Sequence, residues 1–135
     1  MKKGNIEFAS KGFILKDGKY LAMHKSIAKH NFYELPGGRM EFGETAEETL
    51  VREVKEETNF IIEPVSLLDT WNFIAEDYQI AGVIYLCKIK ERSLTLSEEH
   101  DRYEWLDFNE ENLDKMHEVY KIRMEKWDIN KLKAL

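Results

Sequence analysis

Residues 38–60 read GRMEFGETAEETLVREVKEETNF, and this stretch joins a glycine-containing loop to a strongly acidic segment. Thr45, with Glu48 three positions later, forms the reciprocal N-terminal signature of a helix that is called a capping box. Asn59 follows the segment at the position where Asn is the common alternative to Gly for a left-handed closing conformation. The sequence therefore predicts a helix over residues 45–58, with both of its ends marked.

One face of this helix carries three carboxylates. At about 100° per residue, Glu53, Glu56 and Glu57 fall within an arc of roughly 100°, and the apolar side chains lie on another face. Like charges at this spacing repel by a few tenths of a kcal/mol per pair. Arg52 can pair with Glu48 or Glu56, but one cation cannot neutralise the cluster. Hard divalent cations, Mg²⁺ or Mn²⁺, bind oxygen ligands of this kind.

Glycine is concentrated just upstream of the acidic helix. Gly37, Gly38 and Gly43 are three of the seven glycines of the chain and lie within seven positions. Such a loop brings bare backbone close to a ligand, and the positive end of a helix attracts phosphate oxygens. Together the loop and the carboxylates indicate a metal-bridged phosphate site. For the helix alone, the alternative is an ordinary solvated Glu-rich face.

The spacing of these residues resembles the signature of the Nudix hydrolases, G-x5-E-x7-R-E-U-x-E-E-x-G-U, where U is a bulky aliphatic residue. The match begins at Gly38, and two positions depart from it: Asn59 stands at the family's Gly and Phe60 at its last aliphatic residue. Asn tolerates a positive φ, and neither change touches an acidic position. The resemblance implies an α/β fold, the family's α/β/α sandwich with a central mixed β-sheet. It also implies a single Nudix hydrolase domain over residues 1–135, with the signature motif at 38–60.

The resemblance further implies an activity, which is hydrolysis of the diphosphate linkage of a nucleoside diphosphate joined to another group. Carried over by position, Glu53, Glu56 and Glu57 bind the metal, Mg²⁺ or Mn²⁺, and Arg52 and Glu44 orient the cluster. Water then attacks a phosphorus atom in line, while the metal lowers the pKa of that water and stabilises the leaving phosphate.

Two roles stay open at this point. The general base is either Glu56 or an acidic residue of the segment 97–101, for which Glu98 is the candidate. Aromatic residues near the motif are candidates to stack on a nucleobase, although strand aromatics more often belong to the core. The candidate substrate-binding residues are the loop backbone, its neighbouring cation and two aromatics: Gly37, Gly38, Arg39, Phe32 and Trp71.

The rest of the chain predicts mainly strands. A hairpin is predicted around Asp17-Gly18, a dipeptide that accepts positive φ angles. Apolar residues at spacings of three and four predict one core-facing helix near the C-terminus. The predicted elements are strands at 6–15, 19–25, 61–75, 78–90 and 103–106 and a helix at 110–127.

Composition excludes several classes of protein. The chain has 135 residues, a net charge of −6 and a pI near 5.3. Proteins that bind polymeric nucleic acid use a positively charged surface, so the negative net charge argues against this class. A small phosphorylated substrate is compatible with this charge, because bound divalent cations reverse the local sign. Cys87 is the only cysteine and is expected to be a buried small hydrophobe. No apolar run is long enough to span a membrane, so we expect a cytoplasmic protein, compatible with a homodimer.

Two alternatives to the hydrolase remain. A nucleotide-binding regulatory module would keep the fold without turnover, although the intact acidic set argues against it. An RNA-end processing enzyme would share the chemistry, but it requires a basic track that the sequence does not show.

Overall fold

The computed structural model describes residues 4–24, 32–92 and 103–134. Within these ranges the predicted strands and the predicted helix up to residue 107 form in the expected order, and two short strands, Tyr33–Glu34 and Gly37–Arg39, were not predicted. The strands are β1 (Asn5–Lys16), β2 (Lys19–His24), β3 (Tyr33–Glu34), β4 (Gly37–Arg39), β5 (Phe60–Ile74), β6 (Tyr78–Arg92) and β7 (Tyr103–Asp107). The helices are α1 (Ala46–Thr58), α2 (Glu110–Leu113), α3 (Glu118–Met124) and α4 (Ile129–Lys133).

The strands form one mixed sheet with β1 at its centre. β1 runs parallel to β6 along almost its whole length, and β5 pairs antiparallel with the other edge of β6. The opposite edge of β1 is divided between two antiparallel partners. β2 pairs with its C-terminal end across the Asp17-Gly18 turn, where both residues adopt the expected positive φ, and β4 pairs with its middle. β2 also pairs with β3 and β7.

Helices cover both faces of this sheet. Successive residues along a strand point to opposite faces, and here they enter different cores. Phe13 belongs to a core with Tyr120 and Met124 of α3, whereas its neighbour Ile14 belongs to a core with Leu50 and Val54 of α1. The predicted α/β/α sandwich with a central mixed sheet is confirmed.

Helix α1 begins and ends where its caps predict. The Thr45 side chain accepts a hydrogen bond from the Glu48 N–H, and the Glu48 carboxylate accepts one from the Thr45 N–H at 3.0 Å. Asn59 closes the helix in the left-handed conformation at φ 65°. Cys87 is fully buried beneath this helix, as predicted, and burial raises the pKa of its thiol.

The prediction of one helix over residues 110–127 is wrong. The segment breaks into α2, α3 and a turn before α4, because Tyr33 of β3 bonds to the chain inside it: the Tyr33 N–H donates to Lys115 O, and the His117 N–H donates to Tyr33 O. Of the apolar positions whose spacing predicted this helix, Leu113, Met116, Tyr120 and Met124 are buried, and Val119 is partly buried. The periodicity identified the buried side but not the break.

In the part of the chain that the structure describes, no helix has the length and apolar character needed to cross a membrane.

Candidate active site

Strand β4 carries the two glycines of the loop against α1. It pairs with β1 so that Gly38 lies opposite Ser10 and Gly37 opposite Lys11. The Ser10 hydroxyl donates a 2.8 Å hydrogen bond to Ala46 O, and the Gly37 N–H donates a 3.0 Å hydrogen bond to the Glu57 carboxylate. Gly37 has φ 135°, and a Cβ at this position would clash with Ser10 O. The loop is therefore part of the sheet and is bonded directly to α1.

Gly38 allows Glu53 to approach the backbone closely. A Cβ on Gly38 would lie 2.5 Å from Glu53 Oε2 and 2.8 Å from Oε1, closer than atoms can pack. The φ of Gly38 lies outside the left-handed region, so backbone conformation does not require glycine here. The missing side chain leaves room for the carboxylate.

Arg52 holds the acidic cluster together. Its Nε donates to Glu44 Oε2 at 2.6 Å and its Nη2 to Glu44 Oε1 at 2.9 Å, a bidentate pair. Its Nη1 donates to Glu53 Oε1 at 3.0 Å and its Nη2 to Arg39 O at 3.1 Å. A longer contact of 3.5 Å joins Nη1 to Glu56. Arg52 thus fixes α1, the preceding loop and β4 relative to one another.

The pairing of Arg52 with Glu44 shifts the pKa values of both side chains. The Arg52 guanidinium, assisted by the Glu41 N–H and the Thr49 hydroxyl, lowers the pKa of the Glu44 carboxyl from its ordinary 4.5 to about 2. Glu44 in turn raises the pKa of Arg52. Both groups are therefore charged at every pH at which an enzyme is assayed. The sequence had suggested Glu48 or Glu56 as the partners of Arg52, but Glu48 is committed to the helix cap.

The structure brings two of the three candidate metal ligands into the same cavity. Glu53 and Glu57 line the same cavity as Gly37 and Gly38. Glu56 turns toward Arg52 instead, with its side chain 61% exposed. Within residues 4–24, 32–92 and 103–134, no three acidic, histidine or cysteine side chains are already grouped closely enough to hold a metal ion. The carboxylate oxygens of Glu53, Glu56 and Glu57 are donors of the kind that Mg²⁺ or Mn²⁺ binds.

The cavity beside these carboxylates has a volume of about 600 Å³. Its wall opposite α1 is formed by β1, β5, β6 and α3. Besides the acidic residues and glycines named above, it is lined by Ala9, Lys11, Glu34, Arg39, Trp71, Phe73, Tyr78, Ile80, His117, Val119 and Tyr120.

Some of the predicted substrate-binding residues line this cavity, and others lie elsewhere in the structure. Arg39 lines the cavity and forms a 2.8 Å salt bridge with Glu7. Trp71 lines it too, but it is only 4% exposed and packs against Tyr120 with ring centroids 5.3 Å apart. Phe32 is 42% exposed and lines a separate cavity, so the structure does not bring it to the acidic cluster. The predicted general base Glu98 lies outside the described residues.

Sequence reasoning missed several residues of the cavity wall. Lys11 is the clearest case, because a lysine inside the apolar run of β1 is a signal that the sequence already contained. It is 7% exposed, and its Nζ lies 5.8 Å from the Trp71 ring centroid and 5.9 Å from that of Tyr120. His117 and Tyr120 were missed for another reason, since the break before α3 that places them depends on β3.

Comparison with known proteins shows which family has both this fold and this signature. A sequence model of the NUDIX domain matches residues 10–127. The chain belongs to the Nudix family. This Nudix chain is 33% identical over 108 residues to an ADP-ribose pyrophosphatase of Methanocaldococcus jannaschii, a match that covers 78% of the chain but only 63% of that relative. It is 31% identical over 80 residues to an 8-oxo-dGTP diphosphatase of Proteus vulgaris, covering 58% of the chain and 69% of the relative.

A solved structure resembles this Nudix chain over its full length. The MutT protein from Methanosarcina mazei Go1 superposes with a TM-score of 0.76, covers 100% of both chains and is 19% identical. At that identity the likeness concerns the fold alone.

Proposed function

We propose that the protein is a metal-dependent hydrolase that cleaves the diphosphate linkage of a nucleoside diphosphate joined to another group. The observation that carries the proposal is the placement of Glu53 and Glu57 beside the bare backbone of Gly37 and Gly38, at the mouth of a nucleotide-sized cavity. The proposal treats residues 1–135 as one Nudix domain.

Each residue of the cluster has a distinct task in this proposal. Glu53, Glu56 and Glu57 would hold Mg²⁺ or Mn²⁺, while Arg52 and Glu44 keep Glu53 oriented. The N–H of Gly37 donates to one oxygen of Glu57 and holds this carboxylate against the loop. When bound, the metal lowers the pKa of the attacking water and offsets the charge on the phosphate oxygens.

The general base has two candidates. Glu56 is solvent-exposed on α1, where it has a long contact with Arg52, so it is accessible to a water molecule. Glu98 is the alternative, and the structure does not describe it. A Glu56→Gln variant and a Glu98→Gln variant, each assayed across pH, distinguish the two. At saturating Mg²⁺, only replacement of the true base should remove the acidic limb of the pH profile of kcat.

The identity of the substrate is a separate question from the type of reaction. The two relatives described above are named for hydrolysis of ADP-ribose and of 8-oxo-dGTP, and these names belong to those proteins. For this chain we propose the shared chemistry, a nucleoside diphosphate derivative, and leave its base and second group to experiment.

The first experiment incubates the protein with Mg²⁺ and a panel of compounds, and identifies the products by mass. The panel contains nucleoside triphosphates, oxidised nucleotides, ADP-ribose, dinucleoside polyphosphates and nucleotide sugars. The expected result is metal-dependent cleavage of a diphosphate bond in at least one compound, reduced at least about a hundredfold in Glu57→Gln.

Glu63→Gln is the matched control. It removes the same charge from an exposed position of β5 outside the cavity, and it should leave turnover unchanged. Nucleotide binding without cleavage of any compound would favour the regulatory module instead.

A further inference from the structure

Lys11 is a buried cation outside the signature motif. Lys11 as a residue is 7% exposed. An ammonium group that is shielded from water normally has an oppositely charged or hydrogen-bonding partner, because its removal from water costs several kcal/mol. Among the residues that the structure describes, no carboxylate forms a salt bridge with Lys11. Its neighbours are instead the rings of Trp71 and Tyr120, whose faces attract a cation but offer no acceptor oxygen.

The sheet places Lys11 on the side of the cavity away from the acidic cluster. Ser10 points toward α1, where its hydroxyl bonds to Ala46 O. Because side chains alternate along a strand, Lys11 points to the other face, among β5, β6 and α3. Lys11 lines the same cavity as Glu53 and Glu57, so a ligand whose diphosphate lies at these carboxylates can place its base in the part of the cavity that Lys11 lines.

Aromatic side chains make this wall suitable for a nucleobase. Phe73 and Tyr78 line it with ring centroids 6.0 Å apart, and Tyr78 is 39% exposed. Flat rings of this kind stack on any base without distinguishing one from another. Discrimination must come from polar groups at the edge of the base, and Lys11 supplies a cation on that wall.

We propose that Lys11 selects substrates whose base carries a carbonyl oxygen, a 6-oxopurine or a 4-oxopyrimidine, over the corresponding amino bases. The inference rests on the proposed function. An ammonium group is a donor only, so it binds O6 and N7 of guanine or hypoxanthine, whereas adenine presents an amino donor in place of O6. The same contrast separates O4 of uracil from the amino group of cytosine.

The chain offers a matched control in Lys16. This second lysine of β1 also lies over an aromatic ring, with its Nζ 6.0 Å from the Trp105 centroid. It lines a different cavity, of about 610 Å³, together with Lys88 and Leu132. Five residues of extended strand, roughly 16 Å, separate it from Lys11.

The test compares inosine triphosphate with ATP in one competition assay with Mg²⁺, which gives the ratio of their kcat/KM values. The wild-type protein should prefer inosine triphosphate about tenfold or more, as expected for a hydrogen bond to a charged group. Lys11→Met keeps a side chain of similar length against Trp71 and Tyr120 and should bring the ratio within about twofold. Lys16→Met should keep the wild-type ratio.

Three results would overturn the proposal. They are a wild-type preference for ATP, a wild-type protein without preference, and a Lys11→Met variant with an unchanged ratio. If the ratio is unchanged because both substrates lose equally, Lys11 acts on the phosphates or the sugar. A wild-type preference for ATP overturns the proposal even if the variant does not fold.

A second measurement separates this inference from the proposed function. Ligand-observed NMR with inosine and adenosine, in the presence of EDTA, needs neither metal nor turnover. Tighter binding of inosine by the wild-type protein, lost in Lys11→Met, supports the role of Lys11 even if no compound of the panel is cleaved. Cleavage of the panel with no inosine preference would leave the hydrolase standing and remove the role of Lys11.

Discussion

Replacement of Gly38 by alanine tests the acidic cluster without touching a charged residue. The new Cβ would lie 2.5 Å from Glu53 Oε2, so the carboxylate must move by roughly 0.9 Å to reach ordinary contact at 3.4 Å. Metal–oxygen distances tolerate only about 0.2 Å, and a misplacement of about 1 Å can reduce turnover about a hundredfold. We therefore expect Gly38→Ala to lower Mg²⁺-dependent turnover by about two orders of magnitude and to weaken Mn²⁺ binding.

Stability should respond much less than activity. The atoms that must move are the end of a flexible side chain, and alanine needs no unusual backbone conformation at this position, so we expect a loss of about 1 kcal/mol or less. Turnover is measured on the best substrate of the panel, Mn²⁺ affinity by electron paramagnetic resonance and stability by urea unfolding.

Gly43→Ala is the control with the opposite profile. Gly43 has φ 97°, and no atom lies within 4 Å of the point that an alanine Cβ would occupy, so alanine there strains the backbone by about 1 kcal/mol or more without displacing a ligand. It should lower stability and leave Mn²⁺ affinity unchanged. A Gly38→Ala variant with wild-type turnover and Mn²⁺ affinity would refute the argument that this glycine makes room for Glu53.

Three further predictions concern the ions and the helix ends. Ionised Glu44, whose pKa lies near 2 rather than 4.5, contributes stability that is fully present above about pH 4.5 and is lost as the pH falls toward 2. The difference in Tm between the wild-type protein and Glu44→Gln should therefore shrink over that range in melts followed by circular dichroism, and parallel curves would contradict it. Millimolar Mg²⁺ or Mn²⁺ should raise the Tm of the substrate-free protein, because binding to the folded state stabilises it, and an unchanged melting curve would count against the metal site. Asn59→Gly should raise the free energy of unfolding by up to about 1 kcal/mol, since glycine adopts the left-handed closing conformation without strain, and urea unfolding that shows a loss would contradict this account.

The sequence predicted the parts of the fold that depend on local chemistry. Helix α1 was predicted correctly because its caps are made by neighbouring residues, Thr45 with Glu48 and then Asn59. The break before α3 was not predicted, because it depends on bonds to Tyr33, more than eighty positions earlier in the chain. Long-range pairing of this kind leaves no periodic signal.

The candidate site shows the same division. Helical spacing allowed the contact between Arg52 and Glu56, but it did not show that Arg52 would bind Glu44 across the loop. The contact with Glu44 depends on the path of the chain before the helix. The roles of the site residues, the single domain and the homodimer stay predictions, as does the role of Glu98.

The cavity is built from two sets of elements. Gly38 and Glu53 lie on β4 and α1, whereas Phe73, Tyr78 and His117 lie on β5, β6 and next to α3. Under the proposed function, the machinery for bond cleavage and the surface for ligand choice can therefore mutate independently. A library randomised at the three aromatic positions alone is a practical starting point for laboratory evolution of new specificities.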